Sequence, residues 1–388
     1  MSPREHTGSH HIPSVAGVLT SAQVAETAAT IAATQEPDGA VPWTVGEHVD
    51  VWNHVEAAMA MLVGGEIEAA GAAYDWCVRN QRHDGTWAMK IVAGTVEDPS
   101  GETNMSAYLA VGVWHHWLLR RDLAFVDRVW PCVRRALDFV AGMQLPFGGI
   151  AWSQEWDEHG PARVNRDALL AGSSSIYQSL RAGVAIAELV GDAQPEWELA
   201  GGRLGHALRE HRDQFLDKSN FSMDWYYPVL GGAVRGQAGI DLLESRWDTF
   251  VVPGLGIRCV DANPWVTGAE TCELVMALDS LDDHARALRL YADMHHLRHE
   301  NGSYWTGYVF PDDVNWPEEQ TTYTAAAVIL AADELSRTTP ASGIMRGETL
   351  AAPFQEIGLE CGCDPSVSGP VSGPVPGEAS ADVFSRRA

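Results

Sequence analysis

The turn Gln81-Arg-His-Asp-Gly-Thr-Trp87 decides how this chain reads, because versions of it recur along the sequence. They are Gln35-Glu-Pro-Asp-Gly39 leading to Trp43, Gln144-Leu-Pro-Phe-Gly148 leading to Trp152, and His299-Glu-Asn-Gly302-Ser-Tyr-Trp305. Each follows a stretch with helical spacing of apolar residues, at 24–33, 69–78, 126–141 and 284–297. Glycine is the natural stop at a helix C-terminus, and the Trp after it can fold back as a plug against the helix just left. Trp43, Trp87 and Trp152 are read in the first place as such plugs. The spacing is irregular, which suits helix pairs joined by loops of varying length rather than a tight solenoid.

Between these turns two kinds of helix alternate. One kind is amphipathic with a charged face, expected over 22–34, 66–80, 123–143, 196–216, 240–250 and 282–297. The other is apolar and rich in small residues, with its polar groups gathered at the N-terminal end, over 49–63, 103–118, 173–190, 227–236, 268–281 and 321–335. An evenly apolar helix is a buried helix. Six outer and six inner helices in alternation predict an all-α fold, an (α/α)6 toroid spanning 19–337. No sustained two-residue alternation between hairpin turns marks a sheet domain. Residues 1–18 are expected to be a flexible N-terminal tail. Residues 338–388, with Val-Ser-Gly-Pro twice in tandem at 367–374, are expected to be a disordered C-terminal tail.

Composition narrows the partners. The 388 residues hold 26 Lys+Arg against 52 Asp+Glu, a net charge of −26, which repels nucleic acids and anionic membranes. No run approaches the ~18 apolar residues of a membrane span, and the first thirteen residues hold no signal-like apolar segment, so a cytoplasmic protein is expected. The six Cys, at 77, 132, 259, 272, 361 and 363, read as free thiols in a reducing compartment. Cys361 and Cys363 have no second ligand pair at zinc spacing, and neither a metal nor a cofactor is expected. Only Lys90 and Lys218 are lysines, so positive charge comes almost wholly as Arg. Trp, at 15, outnumbers Tyr and Phe at 9 each, and indole faces suit the C–H face of a sugar.

In a helical toroid the loops leading into the inner helices form one mouth. The polar residues there are Asp50, Trp52, Asn53 and Glu56; Glu102, Asn104 and Tyr108; Ser173, Ser174, Ser175 and Tyr177; Asp224, Tyr226 and Tyr227; Asn263, Trp265 and Glu270; and Trp305, Tyr308, Asp312, Asp313, Glu318 and Glu319. Two carboxyl groups flanking a glycosidic bond, with aromatic platforms around them, are what sugar hydrolysis requires. Acidic residues at helix starts are also ordinary caps, the favoured reading for Glu102, Asp313 and Glu318. The pairs His115-His116 and His295-His296 read as core or surface histidines rather than ligands. Asp50 and Glu270 are harder to explain as caps, because each opens an otherwise apolar helix. A carboxyl at such a low-dielectric edge has its pKa raised, which a general acid needs. They form the candidate catalytic pair, with Asp313 and Glu319 as rivals. Trp52, Asn53, Glu102, Asn104, Tyr177, Asp224, Trp265, Trp305, Tyr308, Asp313 and Glu319 are the candidate substrate-binding residues.

The recurring turn resembles the QW motif of squalene cyclases and prenyltransferase β subunits, most closely in the 81–87 copy. The acid motif of those cyclases is missing; Asp279-Ser-Leu-Asp282-Asp283 has the wrong spacing. A second resemblance rests on Val49-Asp50-Val-Trp52-Asn53, on Asn263-Pro-Trp265 with Glu270, and on Trp305-Thr-Gly-Tyr308 with Pro311-Asp312-Asp313 and Trp316. These runs are similar to an actinobacterial group of toroid glycoside hydrolases, the mycobacterial 3-O-methylmannose polysaccharide hydrolases, which are α-endomannosidases. The resemblance implies inverting endo-cleavage of an α-(1→4)-linked methylated mannan in the cytoplasm, with Asp50 and Glu270 as the pair. A neutral polysaccharide or oligosaccharide is the expected partner, and a homodimer is compatible with the sequence. The alternatives are a terpenoid cyclase or prenyltransferase-like toroid enzyme, and a glycan-binding toroid without catalysis.

Overall fold

The computed structural model describes residues 11–355, and most of them are helical. Twelve principal helices follow one another: α1 (Ser21–Thr34), α2 (Val51–Gly64), α3 (Ile67–Asn80), α4 (Leu109–Arg120), α5 (Leu123–Gly142), α6 (Leu170–Val190), α7 (Pro195–Glu210), α8 (Ser222–Leu230), α9 (Gly236–Ser245), α10 (Gly268–Asp279), α11 (His284–Asp293) and α12 (Thr322–Ser336). A short helix, Thr103–Ala107, leads into α4.

The even-numbered helices close on themselves. Each of α2, α4, α6, α8, α10 and α12 packs against the next, and α12 packs against α2. The odd-numbered helices lie outside this cycle, α1 on α2 and α12, α5 on α4 and α6, α11 on α10 and α12. Burial follows the same division. Every residue of α10 is buried, whereas α1 buries only the stripe Val24, Thr27, Ala28 and Ile31. The fourth inner helix starts earlier than the expected 227–236, because the consecutive Gly231 and Gly232 end it, Gly232 at φ +87°. The expected helix 240–250 starts earlier too and breaks at Arg246.

The recurring turns seat each outer helix on its neighbour. The side-chain amide of Gln81 donates to Gly85 O at 3.0 Å and to Cys132 O, on α5, at 2.8 Å. Gln35 does the same to Gly39 and to Ala69 on α3, and Gln144 to Gly148 and to Ala200 on α7. Gly85 has φ +94°, and a Cβ there would stand 2.2 Å from Arg135 O, so only glycine fits. In the fourth copy, Thr27 on α1 donates to Gly302 O at 2.7 Å, tying the last outer helix to the first. Trp87 is the plug expected, its indole N–H bonded to Cys77 O on the helix it leaves. Trp43 and Trp152 are only half-buried, Trp43 packed against the core.

Eleven short strands in three small antiparallel sheets, unforeseen in the sequence, lie between the helices. At two to six residues each they are too short to show an alternating pattern. His48–Val49, Gly101–Glu102 and Trp265–Thr267 run directly into α2, Thr103–Ala107 and α10. The packed chain also extends beyond the expected 19–337. Val15 is in the core, and Ser21 donates to Ile12 O at 2.9 Å. Residues 338–355 return across the ring, with Ile344 and Met345 buried. Cys361, Cys363 and the Val-Ser-Gly-Pro repeats lie outside the described residues. Among those residues no helix is long and apolar enough to cross a membrane.

Candidate active site

Asp50 is the N-cap of α2, because its extended backbone ends the His48–Val49 strand and turns the chain into the helix. Its Oδ1 accepts the Asn53 backbone N–H at 2.9 Å, the ordinary capping bond. Its Oδ2 accepts the Asn53 side-chain amide and faces His48 Nε2 at 3.7 Å. The carboxylate is therefore held at both oxygens while only 4% exposed. Two residues on, Trp52 stacks on Tyr108 at 4.6 Å and meets Tyr323 edge-on at 5.6 Å. At 8% exposure its indole is floor rather than open platform.

On the other side of α12, Glu270 opens α10, hydrogen-bonded by the Cys259 thiol, whose pKa burial and that carboxylate push up. One turn further, Glu273 is 1% exposed and accepts three tyrosine hydroxyls: Tyr227 at 2.7 Å, Tyr323 at 2.8 Å, and Tyr226. Burial lifts its carboxyl to about 7 against the pull of those donors. Glu56, on the second turn of α2, faces the same interior, and burial beside Glu273 and Asp50 pushes it well above the usual carboxylate range. Tyr323 contacts Trp52 on one side and Glu273 on the other, and Thr322 N donates to Trp43 O. The N-terminal turns of α2, α12 and α10 thus lie at one end of the ring, carrying Asp50 and Glu270.

Glu102 caps the helix Thr103–Ala107 through the Met105 N–H, and burial raises it to about 8 despite that bond. Asp224 caps α6 through Ala171 N–H at 3.3 Å, and burial raises it to about 6. Glu102 has the capping role weighed against a functional one; the capping bond of Asp224 was not foreseen. Asn104 sits close to Gly172 near the start of α6, its Oδ1 buried without a protein partner. Glu319 accepts the Trp43 indole N–H at 3.0 Å. Tyr308 donates to Asp313 at 2.7 Å within one exposed hairpin, and Trp265 donates to Trp316 O at 2.7 Å. Trp305 is half-buried, edge-on to His299.

Tyr177 is a correction. It is 1% exposed and packs against Gly205 of α7 and Phe354, on the outward side of α6. Its neighbours Ser175 and Gln178 are the α6 residues that face inward. Glu273 was missed, although a Glu one turn after Glu270 in an apolar helix was the available signal. His115 and His116 are buried, and burial lowers them to about 3 and about 4, as fits core histidines. No group of three or more His, Cys, Asp or Glu able to hold a metal occurs among the described residues.

The closed cycle of helices is shared with solved structures. The D-mannose isomerase crystal structure superposes with a TM-score of 0.61 at 10% identity, covering 81% of this chain and 96% of that one. A glycosidase solved with glucose gives 0.59 at 15% identity, covering 81% and 97%. These likenesses define the fold. No family model matches the chain. In sequence it is 54% identical, over 91% of its length and 96% of the relative's, to the MMP endo-(1,4)-3-O-methyl-alpha-D-mannosidase of Mycolicibacterium hassiacum. The protein is a glycosidase, and it belongs to the family of that mannosidase.

Proposed function

We propose that this protein, as an (α/α)6 toroid, cleaves interior α-(1→4) linkages of a 3-O-methylmannose polysaccharide with inversion. The observation that carries the reading is 54% identity, sustained through nearly the whole chain, to a relative named for that substrate. The chemistry of the mouth agrees with it. Hydrolysis needs one carboxylic acid to protonate the departing oxygen and one carboxylate to take a proton from water. Glu270, opening α10, is the acid. Asp50, held at both carboxyl oxygens by Asn53, is the base. Water attacks the anomeric carbon from the face opposite the leaving group, its proton passes to Asp50, and Glu270 protonates the glycosidic oxygen as the C–O bond breaks. Neither step requires a metal or cofactor.

O-methyl groups turn hydroxyls into apolar knobs, which aromatic surfaces such as Trp265, Trp305 and Tyr308 would bury at ~25 cal/mol per Å2. A neutral polymer meets no repulsion from a protein of charge −26. Free Cys77, Cys132, Cys259 and Cys272 suit a reducing compartment, so the cytoplasm is the proposed location. The carboxyls of Glu56 and Glu273 face the ring axis, which disfavours an isoprenoid.

Incubation with methylated mannan, with products sized and their first-formed anomer read by NMR, tests the reading. Internal fragments with inverted anomers are expected. Asp50→Asn and Glu270→Gln should each cut kcat by at least about 10³-fold while leaving the thermal midpoint near wild type. Near-normal turnover in either removes that residue, and the same assay on Glu319→Gln and Asp313→Asn then names its replacement.

A further inference from the structure

The ring axis carries a feature that the hydrolytic scheme does not use. Below the mouth, Trp52 and Glu56 of α2, Ser175 and Gln178 of α6, Glu273 of α10 and Met345 of the returning segment enclose a cavity of about 10 Å3. Three polar atoms of these side chains have no protein hydrogen-bond partner: Trp52 Nε1, Glu56 Oε2 and Ser175 Oγ. All three residues are more than nine-tenths buried. Orphaned polar atoms cost free energy, and three converging on one small space share one remedy. Room for about one water-sized probe, with two to four polar partners, is what a buried water needs.

We propose that one water molecule occupies this cavity, accepting from the Trp52 indole N–H and bridging Ser175 Oγ to Glu56 Oε2, so that Glu56 is a positioning residue for the floor of the site. The donors and acceptors balance. Trp52 offers only a donor, so the water accepts there, accepts the carboxylic O–H of neutral Glu56 with its second lone pair, and donates a hydrogen to Ser175 Oγ. A cation is disfavoured by the same indole N–H pointing inward. The two carboxyls also differ in their partners. Glu273 takes three tyrosine hydroxyls and is the member that holds charge. Glu56 has no such donors and faces Glu273 and Asp50 without a Lys, Arg or His on the cavity wall, so it is the neutral acid. Through the water it braces the Trp52 ring, which with Tyr108 and Tyr323 underlies Asp50.

A high-resolution crystal structure of the full chain, with Glu56→Gln, Glu56→Leu and Ser175→Ala beside it, tests this. Density for one water within hydrogen-bond distance of the three atoms is expected in wild type and in Glu56→Gln. It should be absent in Glu56→Leu. The infrared carbonyl band of protonated carboxylic acids at neutral pH should lose its Glu56 component in Glu56→Gln while keeping that of Glu102. A dry cavity, an unchanged band, or anomalous signal from a thallium-soaked crystal at this position would each overturn the proposal. These readouts do not depend on the substrate assigned above, so they fail separately from that reading. The kinetic arm rests on it: Ser175→Ala, which deletes one bridge with little change of volume, should raise KM about threefold or more with kcat changed by less than about twofold. An unchanged KM removes the positioning role.

Discussion

Glu102 shows how a cap and a buried acid can be one side chain. Its carboxyl takes the Met105 N–H, yet at 5% exposure burial outweighs that bond and holds the pKa near 8. The folded value lies above the unfolded one of ~4.3, so the protonated acid favours the folded state. That contribution is complete below about pH 4 and is lost as pH rises through about 8, at ~1.4 kcal/mol per pH unit at most. Glu102→Gln cannot ionise. Its thermal midpoint should therefore rise relative to wild type between pH 5 and 8 and not below; parallel melting curves across that range would show that Glu102 is not held neutral. His54, buried and lowered to about 4, acts in the opposite sense, losing stability as pH falls from about 6.5 to 4, so only the difference between variant and wild type isolates Glu102. Asp50 could be singled out because an acid before an evenly apolar helix stands out in the text. Glu273, one turn after Glu270 in an apolar helix, carried a weaker signal, since its meaning lies in tyrosines brought from α8 and α12. Tyr177 misled for a geometric reason: two residues after Ser175 is about 200° around a helix, which turns it outward.

At the scale of elements, the recurring turn was the most legible feature, and the structure gives it a mechanical reason. One glutamine amide bonds the Gly four residues on and a carbonyl of the next outer helix, so each copy both stops a helix and fixes its neighbour. Gly85→Ala combines a strained φ of +94° with a Cβ driven 2.2 Å from Arg135 O. A loss of at least ~2 kcal/mol in urea unfolding is expected. Gln81→Ala removes both amide bonds and should cost ~1–3 kcal/mol. If neither midpoint moves, the turns are incidental to stability. The strands stayed hidden because two or three residues carry no period; what makes them strands is pairing across the chain, as when Val49 meets Ile91.

For the whole molecule, the decisive element is the segment 338–355, which composition alone assigned to a tail. It holds two Pro and two Gly, but its anchors are single residues spread around the ring. Arg181 Nε bonds Ala351 O at 2.8 Å, Trp114 Nε1 bonds Thr349 O at 2.8 Å, and Arg235 bonds Met345 O at 3.0 Å. Arg346 pairs with Asp279 at 3.2 Å and Glu334 at 3.0 Å, at the C-terminal ends of α10 and α12. Both carboxyl side chains are at most 2% exposed. The segment therefore closes the end of the ring opposite Asp50 and Glu270, leaving a polymer one mouth to approach. Removing Arg346 takes the ion pair from buried Glu334, beside Asp279 and Asp333, while Asp279 keeps Arg337 and His284. A buried carboxylate deprived of its partner costs ~3–5 kcal/mol, and that loss is electrostatic rather than volumetric. Arg346→Met, which keeps most of the bulk, should thus lower stability by that order at pH 7 and by less at pH 5, where Glu334, lifted by burial, is more readily neutral. A chain ended at 337 loses every one of these anchors, and its unfolding should be non-cooperative, with exposed apolar surface that binds ANS. A cooperative melt within a few degrees of the full chain would show that the inner ring stands without its closure.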